Sequence, residues 1–76
     1  NACVAAGNWG SPAAVPALLP LLADANPLVR GHAAWALHRI GGGDAVAGLR
    51  SALVNESDDD VRRELLDEPE FADHQQ

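Results

Sequence analysis

The sequence predicts an all-α fold, a superhelix fragment of about four to five antiparallel helices. Three observations predict it. The apolar residues are mostly Ala, Leu and Val, with one Phe and neither Tyr nor Met. That composition suits closely packed helices better than sheets, which favour β-branched and aromatic residues. Cap-and-proline pairs, Ser11-Pro12 and Asn26-Pro27, stand where helices would begin. Finally, the chain repeats its own pattern.

The stretch from Asn1 to Gly10 lies over the stretch from His32 to Gly41 at an offset of 31 residues, with Ala, Ala and Gly coinciding. The same offset carries Ala14-Val15 onto Ala45-Val46, Leu18 onto Leu49 and Leu22 onto Leu53. One inserted residue in the acidic turn then brings Val29-Arg30 onto Val61-Arg62. A period of this size is what stacked helical pairs produce. The expected organisation is a repeat domain over 1–67: the end of a preceding repeat (1–10), a full repeat (11–41) and a degenerate repeat (42–67). An acidic tail follows at 68–76. Asn1 aligns with mid-helix His32, so the chain is expected to start inside a helix and to be a piece of something longer.

Each element has a local reason. Gly10 should end the first helix. Ser11-Pro12 opens the second with a plausible N-cap and a proline tolerated at the start. Pro16 and Pro20 are four apart and remove two backbone donors, so this helix should be irregular or bent, with both prolines outward. Val15, Leu18, Leu19 and Leu22 form its inward stripe. Asn26-Pro27 repeats the capped start, and the following helix should stop at Gly41-Gly42-Gly43. Its core face is Val29, Ala33, Ala36, Leu37 and Ile40, leaving Arg30, Gly31, Ala34, Trp35 and His38 elsewhere. A further helix is expected from about Asp44 to Asn55, and another from near Asp58 with Val61 and Leu65 inward.

The 76 residues carry a formal charge of −6, but the deficit is local. Before residue 55, Asp24 and Asp44 face Arg30, Arg39 and Arg50; from residue 55 on, nine acids face only Arg62 and Arg63. The body of the domain is therefore near neutral. Cys3 is the sole cysteine, which rules out an internal disulfide and points to a reducing compartment. The most apolar stretch, Ala13 to Ala25, is too short to span a bilayer and contains Pro16, Pro20 and Asp24. No basic region followed by an apolar run opens the chain. The expected location is the cytoplasm, with no membrane partner.

Asp24 followed by Val29-Arg30 resembles the turn of HEAT-like repeats. In that family an acid at the turn commonly meets an Arg at the start of the following helix. The implied ladder residues are Asp24, Arg30 and Arg62, weakened in the second repeat because Asn55 stands where Asp24 would recur. A closer resemblance rests on Asn1-Ala2-Cys3-Val4-Ala5-Ala6-Gly7-Asn8, on Ala14-Val15-Pro16-Ala17-Leu18, and on Pro27-Leu28 leading into Val29-Arg30-Gly31-His32-Ala33-Ala34-Trp35-Ala36-Leu37. About residues 1–54 look like the C-terminal HEAT-like domain of the epoxyqueuosine reductases, bacterial oxidoreductases of tRNA queuosine biosynthesis. The resemblance implies a parent that uses [4Fe-4S] clusters and cobalamin held by N-terminal catalytic domains. It also implies that this domain's part is to help hold the tRNA. Those clusters need several cysteine ligands, so no cofactor is expected in this stretch and no catalytic residue is expected here.

The candidate nucleic-acid contacts are Arg30, His32, Trp35, His38 and Arg39, with Asn8 in the row that recurs as Arg39. Trp35 and Arg39 are i, i+4 neighbours, so the guanidinium can lie over the indole. That pair can stack on a base or grip a phosphate; equally, Trp35 can fill space between repeats with Arg39 shielding it. Gly31 costs roughly 1 kcal/mol against Ala in a helix, which close approach by a ligand or by a neighbouring helix would explain. His32 and His38 are six apart and share no face, so they make no metal pair. Three functional classes compete: a tRNA-docking accessory domain, a protein–protein scaffold of the kind such arrays often form, and a repeat-type enzyme. No acid, base or nucleophile arrangement supports the last.

Overall fold

The computed structural model describes residues 2–66. The expected start inside a helix, the boundary at 67 and the acidic tail therefore fall at or beyond the limits of the described residues. Within them lie α1 (Ala2–Trp9), α2 (Val15–Leu18), α3 (Pro27–Ile40), α4 (Gly43–Asn55) and α5 (Asp59–Leu65).

The second helical segment is broken as the prolines require. A 3₁₀ turn (Pro12–Ala14) leads into the single turn of α2, and a second 3₁₀ stretch (Leu19–Ala23) follows it. Pro16 and Pro20 both face solvent, where the carbonyls they leave without helical donors can be hydrated. Ser11 Oγ accepts from the N–H of Ala13 at 3.2 Å and caps the segment. Asn26 caps α3 in the same manner, its Oδ1 accepting from Leu28 N–H at 2.9 Å. Asp58 caps α5 through Val61 N–H at 3.0 Å. Gly41, at φ +74°, closes α3 by donating its N–H to the Leu37 carbonyl at 2.8 Å. A side chain at that φ would be strained, which is why glycine stands there. α4 begins at Gly43, one residue before the expected Asp44.

α3 is the keystone. It packs against α1, α5, α4 and both parts of the second segment. α1, α3 and α5 form one layer; the second segment and α4 form the other. Leu37 is the largest side chain completely removed from solvent, and Ala33, Ala34 and Ala36 are buried with it. The burial of Ala34 corrects the expected core face: α3 is covered on two sides, so its apolar surface is wider than a single stripe. Val29 and Ile40 are only partly buried. Val15, Leu18, Leu22, Ala45, Leu49, Val61 and Leu65 complete the core, and Leu19 packs on its margin.

Small residues set the interhelical distances. A Cβ on Gly7 would lie 3.2 Å from the Ala36 Cα and closer still to the Trp35 ring. A Cβ on Gly48 would strike the end of the Leu19 side chain. Both glycines therefore mark close approach between neighbouring repeats. Cys3 is buried against α3 within the same core, and burial pushes its thiol pKa up. It is a packing residue without a thiolate-stabilising environment.

Candidate binding surface

The six candidate contact residues separate into groups. Arg30 points into the turn between α4 and α5. Its Nε and Nη2 donate to the two carboxylate oxygens of Glu56 at 2.8 and 2.9 Å, and its Nη1 donates to the Asp24 carbonyl at 2.7 Å. The two side chains are 18% and 4% exposed. Hydrogen bonding from Arg30 holds the Glu56 carboxyl below its usual range, against the opposing effect of burial. Arg30 is thus committed to tying one repeat to the next.

The acid that ties it is Glu56. The Asp24 carboxylate instead accepts from Asn26 N–H at 2.9 Å, and Glu56 accepts the equivalent N–H, that of Asp58, at 3.0 Å. Both acids stand two residues before an N-cap and six before an arginine. Arg62 donates to the Glu56 carbonyl at 2.9 Å, as Arg30 does to that of Asp24. Glu56, not Asn55, is therefore the equivalent of Asp24. The turn expected to be weak in the second repeat forms there through the Glu56 carbonyl, and the extra methylene of Glu lets its carboxylate reach back to Arg30. The signal was in the sequence: placing the inserted residue before Asn55 aligns Asp24 with Glu56 at the offset that already aligns the arginines.

His38 is also turned inward. Its Nε2 lies 2.9 Å from the Leu65 carbonyl, so that nitrogen donates to the last turn of α5. Arg30 and His38, one near each end of α3, act as polar staples between α3 and the hairpin that follows it.

The remaining candidates stay at the surface. The Arg39 guanidinium carbon lies 5.3 Å from the centroid of the Trp35 ring, within cation–π range. Arg39 is exposed and Trp35 half-buried, with its inner edge against Gly7. Asn8 is exposed on α1. His32 and Trp35 line a groove of about 600 Å³, together with Leu28, Val61 and the acids Asp58, Asp60 and Glu64. Helix spacing placed Trp35 and Arg39, one turn apart, on one flank of α3. It did not foresee that α5 sets carboxylates along the N-terminal half of that flank, leaving Arg39 at the other end.

Among the described residues, no group of three or more His, Cys, Asp or Glu side chains is placed to hold a metal. Cys3, alone and buried, cannot supply the thiolates of an iron–sulfur cluster. No helix of the described residues is long and apolar enough to cross a membrane.

Paired helices, stacked in two layers and tied by a repeated acid–arginine turn, define an α-helical repeat protein. The chain belongs to the HEAT-repeat family, which matches residues 1–68. It is similar to an epoxyqueuosine reductase of Listeria monocytogenes, with 41% identity over 66 residues, covering 86% of this chain and 17% of that protein. It is 35% identical to the Bacillus cereus epoxyqueuosine reductase over the same shares of the two chains. An uncharacterized protein in the gldA 3' region of Geobacillus stearothermophilus is 37% identical over 67 residues, covering 87% of this chain and 31% of that protein. The chain thus spans between about a sixth and a third of the relatives it matches. No solved structure matches it significantly.

Proposed function

We propose that this chain is the non-catalytic HEAT-repeat module of a cytoplasmic epoxyqueuosine reductase and helps that enzyme dock its tRNA. The observation that carries the reading is the exposed Arg39 guanidinium lying over Trp35. Of the arginines singled out as contacts it is the one that the fold leaves at the surface, and an indole–guanidinium stack suits both a phosphate and an unstacked base. Asn8 occupies the equivalent place in the preceding helix and extends the polar strip along the stack. The clusters of the parent would belong to its other domains, since Cys3 is the sole cysteine of this chain, and the family resemblance puts the cobalamin there too. One arginine gives one phosphate contact, so the module assists binding rather than supplying most of it.

The test is Arg39→Ala in the full-length enzyme. Affinity for tRNA should fall, and the dependence of log affinity on log salt should become shallower by about one unit. Unchanged affinity and an unchanged salt slope would remove the basis for the reading.

A further inference from the structure

A groove outside the surface described above runs between α3, α4 and α5. Leu37, Val46, Leu53, Leu65 and Leu66 wall a space of about 320 Å³, and Arg50 of α4 stands among them. Val46 and Leu66 are 43% and 55% exposed. Arg50 is exposed as well, and no carboxylate among the described residues pairs with it. His38, also on the wall, is committed to the Leu65 carbonyl in the last turn of α5. The C-terminal end of α3 and the N-terminal end of α4 meet across Gly41 and Gly42, where their opposite partial charges offset one another. Arg50 therefore sets the sign of the groove.

The repeat supplies an independent observation. The offset of 31 residues that lays Val15, Leu18 and Leu22 over Val46, Leu49 and Leu53 also lays Leu19 over Arg50. Leu19 is covered by α4: it packs on the core, and its side chain fills the space that a Cβ on Gly48 would need. A further helix laid on α4 as α4 is laid on the second segment would bury the Arg50 guanidinium against apolar atoms, a cost that an acid must offset. The chemistry that fits this face is an apolar side chain flanked by carboxylates. The chain carries that combination close by. After Leu66 it reads Asp67-Glu68-Pro69-Glu70-Phe71-Ala72-Asp73, four acids around its sole phenylalanine, with no lysine or arginine among them.

We propose that residues 67–76 close this end of the stack, with the Phe71 ring in the groove against Val46, Leu53 and Leu66 and the neighbouring carboxylates on the Arg50 guanidinium. The reach is sufficient. Five residues lead from Leu66 to Phe71, up to about 17 Å of chain, and Leu66 itself stands on the groove wall. So short a tether holds the segment at an effective concentration on the order of millimolar, which a second copy or a separate partner would have to exceed. The acidic charge that lies outside the near-neutral body of the domain thereby gains a partner within the chain. This inference goes beyond the tRNA reading and does not depend on it.

The experiment replaces Phe71 with 4-trifluoromethylphenylalanine in the full-length protein, so that one ¹⁹F resonance reports on that position. In native buffer the resonance should stand away from its position in urea. Val46→Ser, Leu66→Ser and Arg50→Glu, all at exposed positions, should each move it back toward the urea position. Arg63→Glu, at an exposed arginine outside the groove, should not. Sodium chloride should move the resonance of the otherwise unaltered protein in the same direction and have little effect on the Arg50→Glu protein. Where a variant loses its helical circular dichroism, that salt titration reads the same contact without a further substitution. A resonance at the urea position in native buffer overturns the proposal. So does a displaced resonance that ignores Arg50→Glu and salt, which would seat the ring elsewhere. A displacement that grows with protein concentration overturns it too, by assigning the groove to a second copy. Unchanged tRNA affinity in Arg39→Ala would remove the tRNA reading and leave this contact standing.

Discussion

Arg30 and Glu56, 26 residues apart in sequence, meet through two parallel hydrogen bonds of 2.8 and 2.9 Å. The same carboxylate also accepts the N–H of Asp58, the residue that caps α5. One acid therefore joins α3, the second helix of one repeat, to the start of α5, the second helix of the next. Glu56→Gln keeps the shape and removes the charge, leaving a partly buried guanidinium with a weaker partner. Loss of such charge-assisted bonds should lower unfolding stability by about 1–3 kcal/mol, read as a lower urea midpoint at unchanged slope.

The same pair sets a pH dependence. The folded-state pKa of Glu56 is lowered, chiefly by the hydrogen bond from Arg30. A lowered carboxylate pKa stabilises the fold fully above the unfolded value and is lost as pH falls through the folded one. Urea titrations at descending pH should therefore show stability declining in the acid range below the ordinary glutamate pKa, and the Glu56→Gln protein should lose less over that window. An equal decline in both would assign the effect to other carboxylates.

Glycines in α1 and α3 should respond in opposite directions. Gly7→Val forces its side chain onto the Trp35 ring and the Ala36 backbone, and overpacking of that kind costs about 1–3 kcal/mol. Gly31→Ala meets nothing and should gain up to about 1 kcal/mol from helix propensity. Thermal unfolding of the two variants side by side checks both signs.

Leu37 is completely buried at the centre of α3. Leu37→Ala should cost about 2–5 kcal/mol, the transfer and cavity contributions together. In a domain this small that is enough to unfold a large fraction of molecules at ambient temperature, which circular dichroism would register.

Trp35 and Arg39 give an optical check on the surface. Arg39→Ala uncovers the indole face and should alter the Trp35 fluorescence, read against a Trp9→Phe background so that one indole reports. Because the pair is exposed on the cation side, its removal should shift stability by no more than about 1 kcal/mol. A large loss of stability would make Arg39 a structural residue and the surface reading untenable.

The architecture was legible because its signals are local. Ser11, Asn26 and Asp58 carry cap chemistry in their own side chains, Gly41 tolerates the backbone that ends α3, and Pro16 and Pro20, four apart, cannot both fit the first turn of one regular helix. The candidate surface was legible only in part. Trp35 and Arg39 lie one helical turn apart, so their contact follows from helix geometry alone. Arg30 and His38 also read as surface residues on α3. Their partners, Glu56 and the Leu65 carbonyl, lie 26 and 27 residues downstream, beyond any periodicity within the helix.

Sequence periodicity, caps and composition settle that this chain forms stacked helical pairs of the HEAT-repeat type, because each of those signals acts over a few residues of backbone. Which arginine is locked and which is presented, whether a glycine serves packing or leaves space, and how α5 lines a groove with carboxylates are decided only when α1, α3 and α5 lie side by side. The reason is geometric. A helix fixes the directions of its own side chains, but the occupants of those directions belong to neighbouring helices, whose spacing is set by Gly7, Gly48 and the alanines of α3.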